Sequence, residues 1–401
     1  MSKRYPSGFI STFYDPLKNP NAPIIGTATE GNESASVTFT APTKVGGSAI
    51  TGYGAVSSPG GRTATSATSP ITVTGLTNGT AYTFAVWAIN TYGPSAYSGY
   101  SGSVTPAAVF GLFAGGSLDA GVTNVIQYIS ITSTGNSSDF GDLVSARYNL
   151  TACGNTTRSL FAGGENDAAA TNFINYVNPV TTGDTTYFGN LIGLTKELSG
   201  CSNSTRGLFA GGLEAGVRTN TIQYVTIASV GDATDFGDLT ILQRLHASCS
   251  NTTTGIFAGG LTTASAWTNV INYVTIASTG DATDFGDLTQ SLYGMGGASN
   301  STRGIFAGGK NTGDSEVNVI QYITIASAGN ATDFGDLIAN IARLAACAST
   351  TRAVFGGGST GARSNVIQYV SIATTGNSTD FGDLLAANFQ LAGTSNVHGG
   401  L

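Results

Sequence analysis

Three observations predict an all-β fold for this chain. Hydrophobic residues make up 41% of its 401 residues and charged residues only 10%, while glycine supplies 56 positions. Thr, Val, Ile, Tyr and Phe punctuated by Gly are strand formers with turns, not the Glu, Lys, Leu and Ala of long helices. A unit of 48 or 49 residues recurs six times in the second two-thirds of the chain. Ahead of it, Tyr82, Phe84, Val86, Ala88 and Asn90 fall at alternate positions, the period-two spacing of one strand face.

The first 19 residues show no period of either kind. They carry Arg4, Tyr5, Phe9, Phe13 and Tyr14 together with Pro6 and Pro16. A frayed terminus is the plain reading. Disordered tails lack aromatics, however, so the preferred expectation is an extended arm that buries these rings on a partner. The start, MSKRYPSGFI, has positive charge but no apolar h-region, and no secretory signal is expected. No run approaches the roughly 20 apolar residues of a membrane span.

Residues 20–106 are expected to form a β-sandwich. The diagnostic run is LTNGTAYTFAVWAINTYGPSAYS, with Leu76, Gly79-Thr80, then Tyr82, Phe84, Val86, Ala88 and Asn90 in alternation. ASVTFTAP, 35–42, supplies an earlier strand with Phe39 at its centre. These residues resemble a fibronectin type III domain, whose second strand usually has Trp where Phe39 stands. The resemblance implies a spacer or adhesion module.

Residues 107–401 hold the repeat. Phe113, Phe161, Phe209, Phe257, Phe306 and Phe355 each open a Phe-(Ala/Gly)-Gly-Gly step. Tyr128, Tyr176, Tyr224, Tyr273, Tyr322 and Tyr369 follow, and a second Phe comes 12 residues after each Tyr. Each unit reads as four short strands: LFAGG, NVIQYITIA, a segment around DFGDL, and a small-residue strand such as 341–348. A turn of the NTTR type leads into the next LFAGG. Period, strand count and double glycine fit a β-propeller blade. The double glycines and the six Tyr resemble the kelch family of propellers. The family's Trp is missing from every copy, and the Phe of Asp-Phe-Gly is expected to fill its packing role. Repeat six ends in a strand, 390–394, with no LFAGG after it, and the first LFAGG has no strand before it. Pairing these ends would hide two sheet edges. A six-bladed propeller closed by the C-terminal strand is therefore expected, with Phe and Tyr at matching positions as its glue.

Asp-Phe-Gly in a kinase holds magnesium, but a kinase needs the motif once, with a Gly-rich loop, a strand Lys and His-Arg-Asp. Here it occurs five times, with Tyr-Phe-Gly at 187–189. The acids Asp232, Asp235 and Asp238, and Asp281, Asp284 and Asp287, are read first as turn residues that accept backbone N–H groups. Calcium is the alternative for the same six carboxylates. Copies one, five and six replace the first acid with Asn136, Asn330 and Asn377.

Cys153, Cys201, Cys249 and Cys347 all occupy one repeat position. Equivalent positions a blade apart are too distant for a disulfide, so they read as small buried residues. A thiol ring holding an axial metal is the alternative. His246 and His398 form no set with other ligands. No catalytic constellation is present, and neither enzyme activity nor a cofactor is expected. The formal charge of −7 argues against nucleic acid, which needs a basic face.

The loops between Gly-Gly and Tyr differ in length and chemistry from copy to copy. They hold Asp119, Glu165, Asp167, Glu214, Arg218, Trp267, Lys310, Asp314, Glu316 and Arg363. Loops on a rigid repeated scaffold are where binding resides. Trp267, read as exposed, suggests sugar stacking. Arg147, Lys196, Arg244, His246, Tyr293 and Arg343, at the start of the fourth strand, mark a second candidate face. The layout of arm, sandwich and Gly/Thr-rich repeats, with the start RYPSGFIS, resembles tailed-phage virion proteins, especially marine ones. That resemblance implies a virion structural protein, assembled in the host cytoplasm and released by lysis. Its arm would bind other virion proteins, and many copies would display the propeller to a host-surface glycan or protein as a tail adhesin or capsid decoration. A bacterial surface or secreted adhesion protein and a polysaccharide-cleaving propeller enzyme are the alternatives.

Overall fold

The computed structural model describes residues 17–262 and 266–397. Arg4, Tyr5, Phe9, Phe13, Tyr14 and His398 lie outside the described residues. The described residues are all-β, without a helix among them. They fall into two compact units, Met1–Ala108 and Val109–Leu401.

In the first unit, β1 (Ile24–Gly31) and β2 (Ser34–Thr40) precede β3 (Gly52–Ser58) and β4 (Thr63–Ser66). β5 (Ile71–Thr74), β6 (Thr83–Asn90) and β7 (Gly93–Pro94) complete it. One antiparallel sheet has the order β1-β2-β5 and the other β4-β3-β6-β7. Both contribute to one core, with Val37, Phe39 and Val73 from the first and Tyr53, Phe84 and Val86 from the second. Tyr82, Phe84, Val86, Ala88 and Asn90 are all buried, as their alternation predicts. Asn90 can be buried because its amide is satisfied: it donates to Lys18 O and Val45 O and accepts from Tyr92 N–H. Lys18 N–H also donates to Gly46 O, and the Asn19 amide to Pro94 O. Lys18 and Asn19 thus belong to this unit, which shortens the expected arm of 1–19.

The free edge of β6 beyond β7 is covered in an unusual way. Ser95, Ser98 and Ser101 each donate a backbone N–H, to Ala88 O, Val86 O and Phe84 O. Their hydroxyl oxygens accept the N–H groups of the same three residues. The segment advances three residues for every two of β6, so a strand ladder cannot form and serine hydroxyls replace its missing carbonyls.

The second unit contains six four-stranded antiparallel sheets. Sheet one runs Ala392–Ser395, Phe110–Ala114, Val125–Ser130, Ser138–Asp142. Sheet two runs Thr151–Gly154, Ser159–Ala162, Phe173–Val177, Thr186–Asn190, and sheets three to six keep that order. The chain ends therefore pair as expected, with Gly393 opposite Phe113. The strand at the head of each sheet, called inner below, neighbours the inner strand of the next sheet, and that of sheet six neighbours that of sheet one.

Six apolar clusters occupy the six boundaries between neighbouring sheets. Between sheets two and three, Phe188 and Leu191 meet Phe209, Val225 and Ile227. Between six and one, Phe381 and Leu384 meet Phe113, Ile129 and Ile131. The six Phe of the Phe-x-Gly-Gly steps are fully buried and the second Phe of each copy nearly so. Each contributes about 1.5–3 kcal/mol by area burial. The six Tyr are only half-buried and stack edge-on against the second Phe, at 5.8 Å for Tyr224 and Phe236. They cover the cluster rather than fill it.

Asp-Phe-Gly is not a turn. It lies within the outermost strand and forms a β-bulge: Ile222 pairs with Gly237 and Gln223 with Asp235, leaving Phe236 as the extra residue. The same shift occurs in all six sheets. The bulge turns the Phe into the boundary. Gly237 has φ +145°, and a Cβ there would sit 2.4 Å from Gly280 O of the next sheet. Only glycine admits that approach, and the Gly280 N–H uses it to donate to Phe236 O at 2.7 Å.

Candidate ligand-binding face

One residue just ahead of each inner strand takes a left-handed conformation: Asn149, Glu197, Leu245, Gly294, Arg343 and Gln390, with φ between +54° and +68°. That conformation aims each N–H at the preceding sheet. Glu197 N–H donates to Asn149 O, Leu245 to Glu197, Gly294 to Leu245, Arg343 to Gly294, Gln390 to Arg343 and Asn149 to Gln390. The six backbone bonds form a closed circuit. Non-glycine residues rarely adopt this geometry, and its recurrence in five of them reflects the circuit they complete. The inner strands beyond it enclose a cavity of about 130 Å³.

The loops between Gly-Gly and Tyr gather around this circuit. Each folds back as a short hairpin and pairs with the residue just before the circuit position. Tyr148 pairs with Glu165, Arg244 with Leu261, Tyr293 with Lys310, Ala342 with Ser359 and Ser117 with Phe389. Thr195–Lys196 pairs with Leu213–Glu214, and Leu213–Glu214 with Val217–Arg218. The two faces suggested by the sequence are thus one face. Between the loops of sheets one, two and six a recess of about 490 Å³ opens, lined by Asp119, Tyr148, Glu165, Asp167, Arg343 and Arg363 among others.

Ion pairs stiffen this face. Glu165 is bound by Lys196 Nζ and by the Asn149 amide, and Glu197 by the Arg244 guanidinium. Arg363 donates to Asp119 Oδ1 at 2.6 Å and to Ser117 O, and lies over the Phe389 ring. Lys310 stands 3.6 Å from Asp314 and 3.5 Å from Glu316. Tyr293 donates to Asp314; burial first, and then that carboxylate, push its hydroxyl up to about 12. Asp119 and Arg343 sit at the rim with Asp167 and Glu214 exposed around them. Such a surface offers carboxylates, guanidinium groups and aromatic edges in fixed positions. It can exchange hydrogen bonds with a polar, hydroxyl-rich ligand.

Three sequence-based expectations change. Trp267 is half-buried, not exposed, and packs against Tyr293 with ring centres 6.2 Å apart. Arg147 is fully buried at the boundary of sheets one and two, where it donates to Phe173 O, Phe161 O and Asn175 Oδ1. Burial without a carboxylate partner lowers its pKa to about 10. His246 is buried against Phe257 at the position held elsewhere by Leu150, Leu198 and Leu391. Neither nitrogen has a partner, and burial depresses its pKa to about 3. Arg147 and His246 are core groups, not face residues.

Three of the six carboxylates considered for calcium, Asp232, Asp281 and Asp284, accept backbone N–H groups. Asp281 Oδ1 accepts the Asp238 N–H at 3.0 Å, and Asp232 Oδ1 accepts the Asn190 N–H at 2.8 Å. Asn330, Asn377 and Asn136 do the same for Asp287, Asp336 and Asp383. The bond needs one side-chain oxygen and no charge, which explains why Asp and Asn alternate there. Among the described residues no three Asp, Glu, His or Cys side chains converge on a metal position. Asp284 instead accepts the Gly286 N–H. The four cysteines are free and buried. Cys201 lies beneath Gly255 of the next sheet, its Sγ 3.0 Å from where a Cβ would stand. Burial raises its thiol to about 12. The thiols therefore face sheet boundaries rather than forming an axial ring.

A repeated arginine carries structure that residue types alone did not reveal. Arg158, Arg206, Arg303 and Arg352 each lie about 4.7–4.8 Å over the Tyr of their own sheet. Each also donates to a carbonyl of the next sheet, Ile227, Ile276, Ile372 or Ile131. Arg303 spans from its sheet to sheet six. The signal in the sequence was the Arg closing NTTR, NSTR and STTR; Phe110 and Thr254 replace it in copies one and four.

No protein-family model matches this chain, and no curated protein matches it.

Proposed function

We propose that the second unit is a six-bladed, kelch-like β-propeller and the first a fibronectin type III-like sandwich. Support for the propeller comes from the cyclic order of six sheets and the pairing of Ala392–Ser395 with Phe110–Ala114. Support for the sandwich comes from the Tyr82 hydroxyl, which accepts the Thr77 N–H in the manner of a tyrosine corner. We further propose a non-enzymatic virion structural protein of a tailed phage. Its N-terminal arm docks to other virion proteins, and the circuit face binds a host-surface glycan.

One observation carries this reading. Six loops of unequal length and chemistry converge on one face, and the recess between those of sheets one, two and six is lined by Asp119, Glu165, Asp167, Arg343 and Arg363. The repeated Asp and Asn side chains of the sheets accept backbone N–H groups, whereas these charges differ from copy to copy. A glycan array probed with the full chain tests the face. Arg343→Ala and Asp167→Ala are expected to weaken binding about tenfold each, equivalent to about 1.4 kcal/mol. Trp267→Ala is expected to act through stability instead. An array with no hit, or hits unmoved by both rim variants, refutes glycan binding here. For the virion role, mass spectrometry of purified particles should find the protein. Deleting residues 1–16, which spares Lys18 and its bond to Gly46, should abolish its incorporation; normal incorporation refutes the arm.

A further inference from the structure

We propose that the first unit has a ligand site of its own, an aromatic platform beside β6 that takes an uncharged polysaccharide. The platform rests on the segment SAYSGYSGS, 95–103, in which Ser recurs at every third position. Ser95, Ser98 and Ser101 each bond β6 through both the N–H and the hydroxyl oxygen. The same hydroxyls donate to the carbonyls of Ala96, Gly99 and Gly102 at 2.7–2.8 Å. Every one of these hydroxyls is thus spent on holding the segment in place.

That latch sets out the tyrosines. Tyr97 and Tyr100 occupy the same place in successive triplets, directly ahead of a latched serine. They are 62% and 63% exposed. One triplet spans two residues of β6, so the two side chains stand about 6.7 Å apart along it. Phe84, Val86 and Ala88 point into the core, and Trp87 between them faces the other way. Its indole lies on β3, where a Cβ at Gly54 would meet Trp87 Cζ2 at 2.1 Å and Cε2 at 2.3 Å. Tyr97 meets the indole edge-on, with ring centres 5.4 Å apart. Trp87 forms a floor, Tyr97 stands against it and Tyr100 follows one step along.

Charge and ring chemistry select the occupant. No Asp, Glu, Lys or Arg occurs between Arg62 and Asp119, so β6 and the segment carry rings and hydroxyls without charge. Nucleic acid bases stack on such rings too, but their phosphates need Lys or Arg beside them. Anionic lipid makes the same demand. A peptide cannot add to β6 as a strand here, because Ser95, Ser98 and Ser101 already occupy its N–H and carbonyl groups. A neutral sugar has an apolar ring face and a rim of hydroxyls. Tyrosine answers both, with its ring against the face and its phenol hydroxyl at the rim. Rings fixed in advance lower the ordering cost of binding, and two of them a step apart suit a polymer better than a single sugar.

Titration of the full chain carrying Trp267→Phe with neutral glucans and mannans, read by Trp87 fluorescence, tests this. A saturating change is expected with at least one of these polymers. Retardation in gels that hold the same polymer gives a second reading that does not depend on the fluorophore. Tyr97→Ser and Tyr100→Ser should each weaken binding about tenfold, the loss of one ring contact. Their melting curves should match the parent, because neither ring belongs to the core. Arg343→Ala, in the other unit, should leave this binding unmoved. No response to any neutral polymer overturns the proposal. So does a response that survives both tyrosine variants, or one given only by polygalacturonate or by a proline-rich peptide.

Discussion

The sandwich and the repeat unit satisfy their polar groups over different distances along the chain. In the sandwich the answers are often local: Ser95, Ser98 and Ser101 serve Ala88, Val86 and Phe84, and Tyr82 serves Thr77. In the repeat unit local bonds such as Arg206 N–H to Asn203 Oδ1 are joined by a set that reaches one copy away. Asp281 serves Asp238, Arg303 serves Ile372, and Glu197 N–H serves Asn149 O. The sandwich is therefore a self-contained folding unit. A single repeat is not, because half of its latches belong to its neighbour. Damage at one boundary of the repeat unit should spread, and damage in the sandwich should stay where it is made.

The largest test of that contrast removes residues 392–401. This deletes the strand that pairs with Phe110–Ala114 and opens the boundary beside it. The repeat unit should lose its cooperative unfolding transition, while the sandwich keeps its own. Each unit holds one tryptophan, Trp87 or Trp267, so fluorescence of a Trp267→Phe background reads the sandwich separately. A truncated chain whose repeat unit melts normally contradicts the interdependence.

Phe209→Ala comes next. It empties a fully buried site shared by two sheets and should cost about 3–5 kcal/mol in chemical denaturation. The loss should appear in the Trp267 signal and leave Trp87 unaffected.

His246 supplies a pH test. Its folded pKa, about 3, lies below the unfolded value of about 6.5. The unfolded chain therefore binds the extra proton between these values. The stability associated with neutral His246 is complete above pH 6.5 and is lost as pH falls toward 3. Melting curves from pH 7 to 4.5 should show a falling Tm. His246→Leu, the residue found at positions 150, 198 and 391, should flatten that fall; an unchanged slope would assign it to other groups.

Smaller effects sharpen the latch and the clamp. Arg303→Ala should cost about 1–2 kcal/mol by removing a cation–π contact and charged hydrogen bonds. Thr254→Arg, which installs the clamp missing from copy four, should raise Tm. At the bottom of the scale, Asp281→Asn should be nearly neutral and Asp281→Ala should cost about 1 kcal/mol. A chelator should leave Tm unmoved, since the carboxylate serves a backbone N–H.

Much of the frame was legible in the residues. The 48-residue period located the strands, and the unmatched ends at Phe110 and Ala392 implied their pairing. Burial at Cys153, Cys201, Cys249 and Cys347 followed from their single repeat position. Less was legible at the face. Arg147 and His246 look like surface groups by type, but their exposure depends on which way one strand faces at a sheet boundary. Trp267 looks exposed among small polar neighbours, yet Tyr293, 26 residues away, covers it.

Sequence by itself determined the all-β class, the six copies and the alternation that buries Tyr82 to Asn90. These follow from local periodicity and composition, which a chain carries without reference to its partners in space. Only the tertiary structure decided what Asp-Phe-Gly is for. Its Phe is a bulge turned into a sheet boundary, its Gly admits the next sheet's backbone, and the Asp or Asn ahead of it accepts a bond from the previous sheet. The left-handed circuit of Asn149, Glu197, Leu245, Gly294, Arg343 and Gln390 was equally hidden, because its side chains share no chemistry. What they share is a backbone N–H whose acceptor lies a full repeat away, and a donor–acceptor pair set by long-range closure leaves no mark on residue type.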